Sequence, residues 1–245
     1  MRPLLALRAV RRLAVLALLT LAPVVAAGCG GGGGSNTSGI PDGSETAATA
    51  PSSTTEAASG GCKQVQAPAA KQNGGQKKPT TKLDPSKTYT VTVETNCGTF
   101  AFTLNVKDSP NTTAAFAGLV KKGFYDGLIF HRIVPGFVIQ GGDPTGTGQG
   151  GPGFSTVDKP PSNAAYTLGV VAMAKTQTEK AGTSGSQFFV VTADDAQLPP
   201  DYALLGKVTK GIGVVQAIGQ LGDPNDQTGA PTQPVVMQKV TLSES

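Results

Sequence analysis

"FHRIVPGFVIQGGDP", Phe130 to Pro144, is the stretch on which the reading of this chain turns. Its residues are mostly apolar and β-prone, and a Pro-Gly pair divides them into two short runs, as two strands joined by a turn would be. Arg132 and Gln140 stand inside those runs. Both side chains resist burial unless a polar group meets them. An arginine and an amide beside Phe137 and Val138 are hard to explain as barrel core, and point to a site.

The surroundings extend the β pattern. Upstream, "TYTVTVETNCGTFAFTLNV" alternates Tyr89, Val91 and Val93 with polar residues, turns at "NCG", and resumes with Phe100, Phe102 and Leu104. That is a β-hairpin by period and turn chemistry. "SPNTTAAFAGLVKKGFY" then places Phe116, Leu119 and Val120 at helical spacing, with Ser109, Asn111 or Thr112 available as caps. Downstream, "TLGVVAMAK", "SQFFVVTA", "YALLGKV" and "PVVMQKVTLSES" read as strands. "GIGVVQAIGQLG" gives a second amphipathic helix through Val214, Val215, Ile218 and Leu221. Many short strands with two helices predict a mainly β fold, a closed antiparallel barrel capped by the helices.

The N-terminal third is different. Arg2, Arg8, Arg11 and Arg12 precede an apolar run from Leu13 to Ala27, followed by small residues, as in an export signal. The run is short for a membrane-spanning helix. "VVAAGC" resembles the lipobox of bacterial lipoproteins, which implies cleavage before Cys29 and its lipidation, with the acyl chains holding the protein at the extracytoplasmic face of the cell membrane. The expected division is a signal at 1–28, a flexible disordered tether at 29–87 and the folded domain at 88–245. Residues 30–61 hold almost no large apolar residue and resemble a linker. From Lys63 to Lys87 six lysines face Asp84 alone, as on a solvated run. The four early arginines account for the whole net charge of +4, so the remaining chain is balanced and nucleic-acid binding has little electrostatic support. Cys62 and Cys97 form an even pair outside the cytoplasm, which reads first as a disulfide; two unpaired thiols are the alternative.

Other chemistries find little footing. One histidine, His131, argues against a multi-histidine metal site, and no metal or cofactor is expected. "GTGQGG", Gly146 to Gly151, has the letters of a dinucleotide fingerprint, but Pro152 and Gly153 stand where a helix should start, so it reads as a Gly-rich loop. "GTSGSQ" lacks the spacing of a nucleophile elbow at Ser184 or Ser186.

The ordered series "FHRIVPGFVIQGGDPTGTGQGG", "GVVAMAK", "SGSQFFVVTA" and "LPPDYALLGKV" resembles the cyclophilins, peptidyl-prolyl cis-trans isomerases with an eight-stranded barrel, over roughly Thr88 to Leu242. The resemblance implies an enzyme that turns X–Pro bonds, here in unfolded or partly folded exported proteins, acting as a monomer. A non-catalytic module that holds proline segments, as a chaperone or scaffold, is the rival. Carried over by position, Arg132 is implied as the catalytic hydrogen-bond donor, with Gln140 orienting it and the substrate. Phe137, Val138, Phe189 and Leu198 are implied as the proline pocket, and Tyr202 as its rim. Ala174 and the backbone of Lys175 would pair with the peptide, and Gln187 would fix its main chain. Gln197, Tyr202, Val138 and Lys175 depart from the eukaryotic pattern of tryptophan, histidine, methionine and asparagine, which puts tight ciclosporin binding in question. His131 should point away from Arg132, packed behind the site.

Overall fold

The computed structural model describes residues 61–226 and 228–245. The expected signal, the expected lipidation site Cys29 and the expected linker up to residue 60 lie outside the described residues. Among the described residues, eleven strands and two helices run in the order β1 (Tyr89–Thr95), β2 (Gly98–Leu104), α1 (Pro110–Lys121), β3 (Leu128–Ile129), β4 (Arg132–Val134), β5 (Val138–Gly141), β6 (Thr156–Val157), β7 (Val170–Met173), β8 (Thr183–Ser184), β9 (Phe188–Val191), β10 (Leu204–Lys210), α2 (Ile212–Gly219) and β11 (Val236–Glu244). The hairpins anticipated on either side of Asn96-Cys97 and Pro135-Gly136 are β1–β2 and β4–β5. The short strands β3, β6 and β8 carry no periodicity long enough to read.

Nine strands form one antiparallel sheet, ordered β3-β11-β1-β2-β10-β7-β9-β5-β4, and β6 pairs with β8 apart from it. This corrects the expectation of a closed eight-stranded barrel: the sheet is curled but open. Its edge strands β3 and β4 are separated in sequence only by Phe130 and His131, yet no ladder joins them among the described residues. The segment before β11 meets both strands: beside β3 it extends the β3–β11 ladder, and beside β4 it covers the outer edge. Phe130 N–H donates to the Val235 carbonyl (2.9 Å) and Ile133 N–H to the Gly229 carbonyl (2.7 Å). With the outer edge of β4 engaged by the loop at Gly229, closure there would gain little.

The sheet is covered on both faces, which explains why β7 and β9 read as continuous apolar runs. Inward residues Phe102, Phe130, Ile133, Ile139, Val171, Met173, Phe188 and Val190 join Phe116 and Tyr125 in the main core. Phe188 lies at its centre, with ring centroids of Phe116, Tyr125, Phe130 and Phe102 all within 6.4 Å. Outward residues Val138, Ala172, Phe189 and Val191 pack with Tyr166 in a second, smaller cluster that carries the site. The end of α1 is capped from afar. Ser109 occupies the cap position without a side-chain bond, and the carboxylate of Asp158 accepts from the N–H groups of Asn111 (2.9 Å) and Thr112 (2.6 Å). A helix start needs such acceptors, and a carboxylate also meets the positive end of the helix dipole.

The segment before β1 departs from a free tether. Cys62 is disulfide-bonded to Cys97 in the first hairpin turn, and Lys63 N–H donates to the Asn96 carbonyl. Further along, the N–H groups of Lys71, Gly74 and Gln76 donate to the carbonyls of Pro144, Gly151 and Pro152, and Leu83 packs on the main core. From Gly61 to Lys87 the chain therefore lies along the domain as a strap. Its polar composition hides this, because the anchoring comes mainly from main-chain groups that every residue owns.

Candidate active site

Arg132, Gln140, Phe189 and Ala172 occupy one rung of the outer sheet face. Arg132 pairs across β4–β5 with Gln140, Gln140 across β5–β9 with Phe189, and Phe189 across β9–β7 with Ala172. Cross-strand partners share a face, so one register places all four side chains together. Gln140 and Val138 share that face by the period of two. Between the strands Gly136 takes φ +66°, a left-handed turn position that suits glycine, and the turn returns Phe137 beneath Arg132. The Arg132 guanidinium carbon lies 5.9 Å from the Phe137 ring centroid, within range of a cation–π contact.

Around this rung lies a pocket of ≈ 120 Å³ lined by Arg132, Phe137, Val138, Gln140, Ala174, Lys175, Phe189, Leu198 and Tyr202. Nine of the ten residues implied by the sequence for the site meet in it; the tenth, Gln187, is one hydrogen bond away. Val138 and Phe189 form its floor and are 3% and 4% exposed. Tyr202 stands edge-on to Phe189 at 5.4 Å. Its main chain is held by Tyr166, whose hydroxyl donates to the Tyr202 carbonyl (2.6 Å) and accepts from the Tyr202 N–H (3.0 Å). Burial pushes the Tyr166 hydroxyl up to about 12, keeping it neutral and able to play both parts. Gln197, beside Leu198, is the only non-glycine residue with positive φ (51°) among the described residues, an uncommon conformation for a side chain of its kind and one that gathers at ligand-binding rims.

The polar side of the site is a hydrogen-bonded relay. Gln140 Nε2 donates to Gln187 Oε1 (3.0 Å), and Gln187 Nε2 donates to the carbonyls of Gly148 and Gly150 (2.9 Å each). Gln140 thus gives its amide Nε2 to Gln187 while standing opposite Arg132 in the ladder. Among the described residues the Arg132 guanidinium donates no hydrogen bond and joins no ion pair; Phe137 is its contact. Lys175 is engaged by its neighbours: its ammonium lies 3.6 Å from Asp201, donates to the Thr176 and Glu179 carbonyls, and sits 5.5 Å from the Tyr202 ring. Ala174 N–H is committed to the Gln187 carbonyl (2.9 Å).

The glycine-rich loop is more than a surface turn. Asp143, 1% exposed, accepts from Thr145 N–H and Oγ1 on one oxygen and from the N–H groups of Gly148 and Gly150 on the other. Burial raises its carboxyl, but the N–H groups of Gly150, Thr145 and Gly148 and the Thr145 hydroxyl together hold it below the usual range. A Cβ on Gly150 would stand 2.1 Å from Asp143 Oδ1, so only glycine fits this approach. The loop borders a larger compartment of ≈ 410 Å³ that shares Gln140, Ala174 and Lys175 with the first pocket. His131 lies behind this loop: its Nε2 is 3.7 Å from where a Cβ on Gly148 would sit, and both ring nitrogens are buried without a hydrogen-bond partner among the described residues. Burial pushes its pKa down, with Arg132 acting the same way and Asp143 and Gln187 opposing. Asp143, Tyr166 and Asn73, which lines the larger compartment, escaped the sequence reading. Only Asp143 left a trace there, as the acid between two glycine runs.

Residues 90–242 match the family described as cyclophilin type peptidyl-prolyl cis-trans isomerase/CLD. A peptidyl-prolyl cis-trans isomerase-like protein of Neurospora crassa is 39% identical over 156 residues, covering 62% of this chain and 93% of that one. Peptidyl-prolyl cis-trans isomerase A of Mycobacterium tuberculosis is 36% identical over 178 residues, covering 65% and 94%. A cyclophilin-type isomerase from Cryptosporidium parvum has a crystal structure that superposes with a TM-score of 0.58 at 30% identity, covering 64% of this chain and 98% of that one. A further structure of it, in the presence of the dipeptide Ala-Pro, gives 0.57 at 31%. By sequence over more than half its length and by fold, the chain belongs to the cyclophilin-type peptidyl-prolyl cis-trans isomerases.

Proposed function

We propose that Arg132 drives isomerisation by donating a hydrogen bond to the proline nitrogen of an X–Pro bond whose ring is seated on Val138 and Phe189. The observation that carries this reading is the rung itself, a guanidinium with no hydrogen bond or ion pair among the described residues, held over an apolar floor. Rotation about the peptide bond must overcome a barrier of about 18–20 kcal/mol set by amide resonance. When the amide twists, the nitrogen regains a lone pair and becomes an acceptor. A donor aimed there strengthens its bond only in the transition state, and so lowers the barrier without tightening the ground state. No covalent bond changes, so the reaction needs no nucleophile or external electron source. Because Ala174 N–H is engaged with Gln187, pairing with the peptide falls to the Ala174 carbonyl and the main chain of Lys175.

The basic n-region, apolar run and "AAGC" sequence support a chain lipidated at Cys29 and held outside the cytoplasm, with exported proteins as clients. Replacing Cys29 by serine should release the protein from the membrane fraction and abolish labelling by a radioactive fatty acid.

The test of the chemistry is exchange spectroscopy on a short X–Pro peptide with the protein and its Arg132→Ala variant. Loss of one donor aimed at a transition state costs about 10²–10³ in rate, while peptide binding through the apolar floor should largely persist. Equal loss of binding and rate would make the arginine structural. Binding with no acceleration by the unaltered protein would instead describe a holding module.

A further inference from the structure

The strap that precedes the domain reaches the substrate groove. Asn73 Oδ1 accepts from Gly151 N–H (2.9 Å), Gly74 N–H donates to the Gly151 carbonyl (2.9 Å), and Gln76 N–H donates to the Pro152 carbonyl (2.9 Å). Three bonds within four residues dock the strap against the outer end of the glycine loop. That loop is the one whose Gly148 and Gly150 carbonyls hold Gln187, and Gln187 holds Gln140. A continuous run of hydrogen bonds thus joins Asn73 to the residue paired with Arg132.

Asn73 also lines the ≈ 410 Å³ compartment, with Gln149 and Lys175 and with Glu179 among its other walls. The two compartments share Gln140, Ala174 and Lys175, so an extended peptide with its proline in the smaller one carries a side chain into the larger within about two residues, at roughly 3.3 Å each. What that side chain meets is chemically defined. Asn73 spends its oxygen on Gly151, and its Nδ2 has no hydrogen-bond partner among the described residues. The Lys175 ammonium is engaged by Asp201 and two carbonyls. Glu179 contributes a carboxylate, one oxygen of which accepts from Thr176.

We propose that the strap forms an outer wall of the substrate groove and that Asn73 is a specificity-determining residue, favouring a neutral side chain that both accepts and donates, such as glutamine, close to the proline. Asn73 donates to it and the Glu179 carboxylate accepts from it. Residues 90–242, which carry the family match, do not include this wall. The proposal rests on the isomerase reading of the groove.

The test uses the full chain and its Asn73→Asp and Asn73→Ala variants, assayed by exchange spectroscopy with proline peptides that vary Gln, Lys and Glu at each position within two residues of the proline. Asn73 is exposed, so neither change threatens folding. Asn73→Asp keeps an acceptor for Gly151 and replaces the donor by a charge. At one position it should raise kcat/KM for the lysine peptide over the glutamine peptide by about three-fold, the scale of an exposed ion pair, with Gly151 amide exchange unchanged. Asn73→Ala should flatten the preference at that same position and speed Gly151 exchange. Identical selectivity in all three proteins at every position overturns the proposal while leaving the isomerase reading intact. Should the unaltered protein bind these peptides without accelerating them, the isomerase reading falls; the same selectivity pattern in the dissociation constants would then uphold the strap as a wall, and a flat pattern would overturn it.

Discussion

Replacing Asp143 by asparagine isolates the buried carboxylate that organises the glycine loop. The side chain keeps its shape, but one acceptor oxygen becomes an NH2 donor. Asp143 receives two bonds on each oxygen, from Thr145 on one and from Gly148 and Gly150 on the other. Whichever way the new amide faces, it sets its own donors against two others. Hydrogen bonds to a charged group contribute about 1.5–3 kcal/mol each, so losing two costs about 3–6 kcal/mol before the loop relaxes. Because Thr147 and Gln149 are open to solvent, water can take up part of the loss, and about 3 kcal/mol is the expected net cost. For a domain of this size that lowers Tm by about 6–12 °C. The pH dependence gives a second reading. Asp143 has a folded-state pKa below its unfolded value, so its contribution is present above about pH 3.9 and is lost as pH falls through the depressed value. Burial already cancels part of what the bonds provide, so the acid-dependent portion should be smaller than the mutational cost. Urea unfolding of both proteins from pH 7 to pH 3 measures each quantity. A variant that melts within about one degree of the original at pH 7, or that loses stability in acid just as the original does, would refute the argument. Loosening the loop should also reduce isomerisation through Gln187, without removing Arg132 from its rung.

Tyr166→Phe removes the hydroxyl that holds the Tyr202 main chain at two points; it should cost about 1–3 kcal/mol in chemical unfolding and weaken peptide binding in titrations, whereas unchanged binding would show that Tyr202 is held by packing alone. His131 is held neutral by burial, so its contribution to stability is present above its unfolded pKa of about 6.5 and is lost as pH falls towards the depressed folded value. His131→Phe should flatten unfolding curves across that window, and an unaltered slope would place the dependence elsewhere. Cys62→Ser opens a disulfide spanning 35 residues, which on chain entropy costs about 3–4 kcal/mol; a thermal melt no lower than that of the unaltered protein would mean the strap holds without it.

The sequence alone determined a good deal here. Alternation of period two named the hairpin of β1 and β2, the Pro-Gly pair divided β4 from β5, helical spacing found both helices, and two polar residues stranded among apolar ones marked the rung of Arg132 and Gln140. Those signals are local, so they survive in a linear reading. The tertiary structure decided what depends on partners distant in the chain. Gly229, about a hundred residues further along the chain, engages the outer edge of β4 where the sheet stays open. The start of α1 drew its cap from Asp158 rather than from Ser109, Asn111 or Thr112. Gln140 took Gln187 as its partner because strand register, not sequence distance, sets which amides meet. The strap is the clearest case: with few large apolar residues it reads as linker, yet its main-chain donors find carbonyls on the glycine loop. Composition reports the surface a segment could bury, and only the fold shows where its backbone hydrogen bonds go.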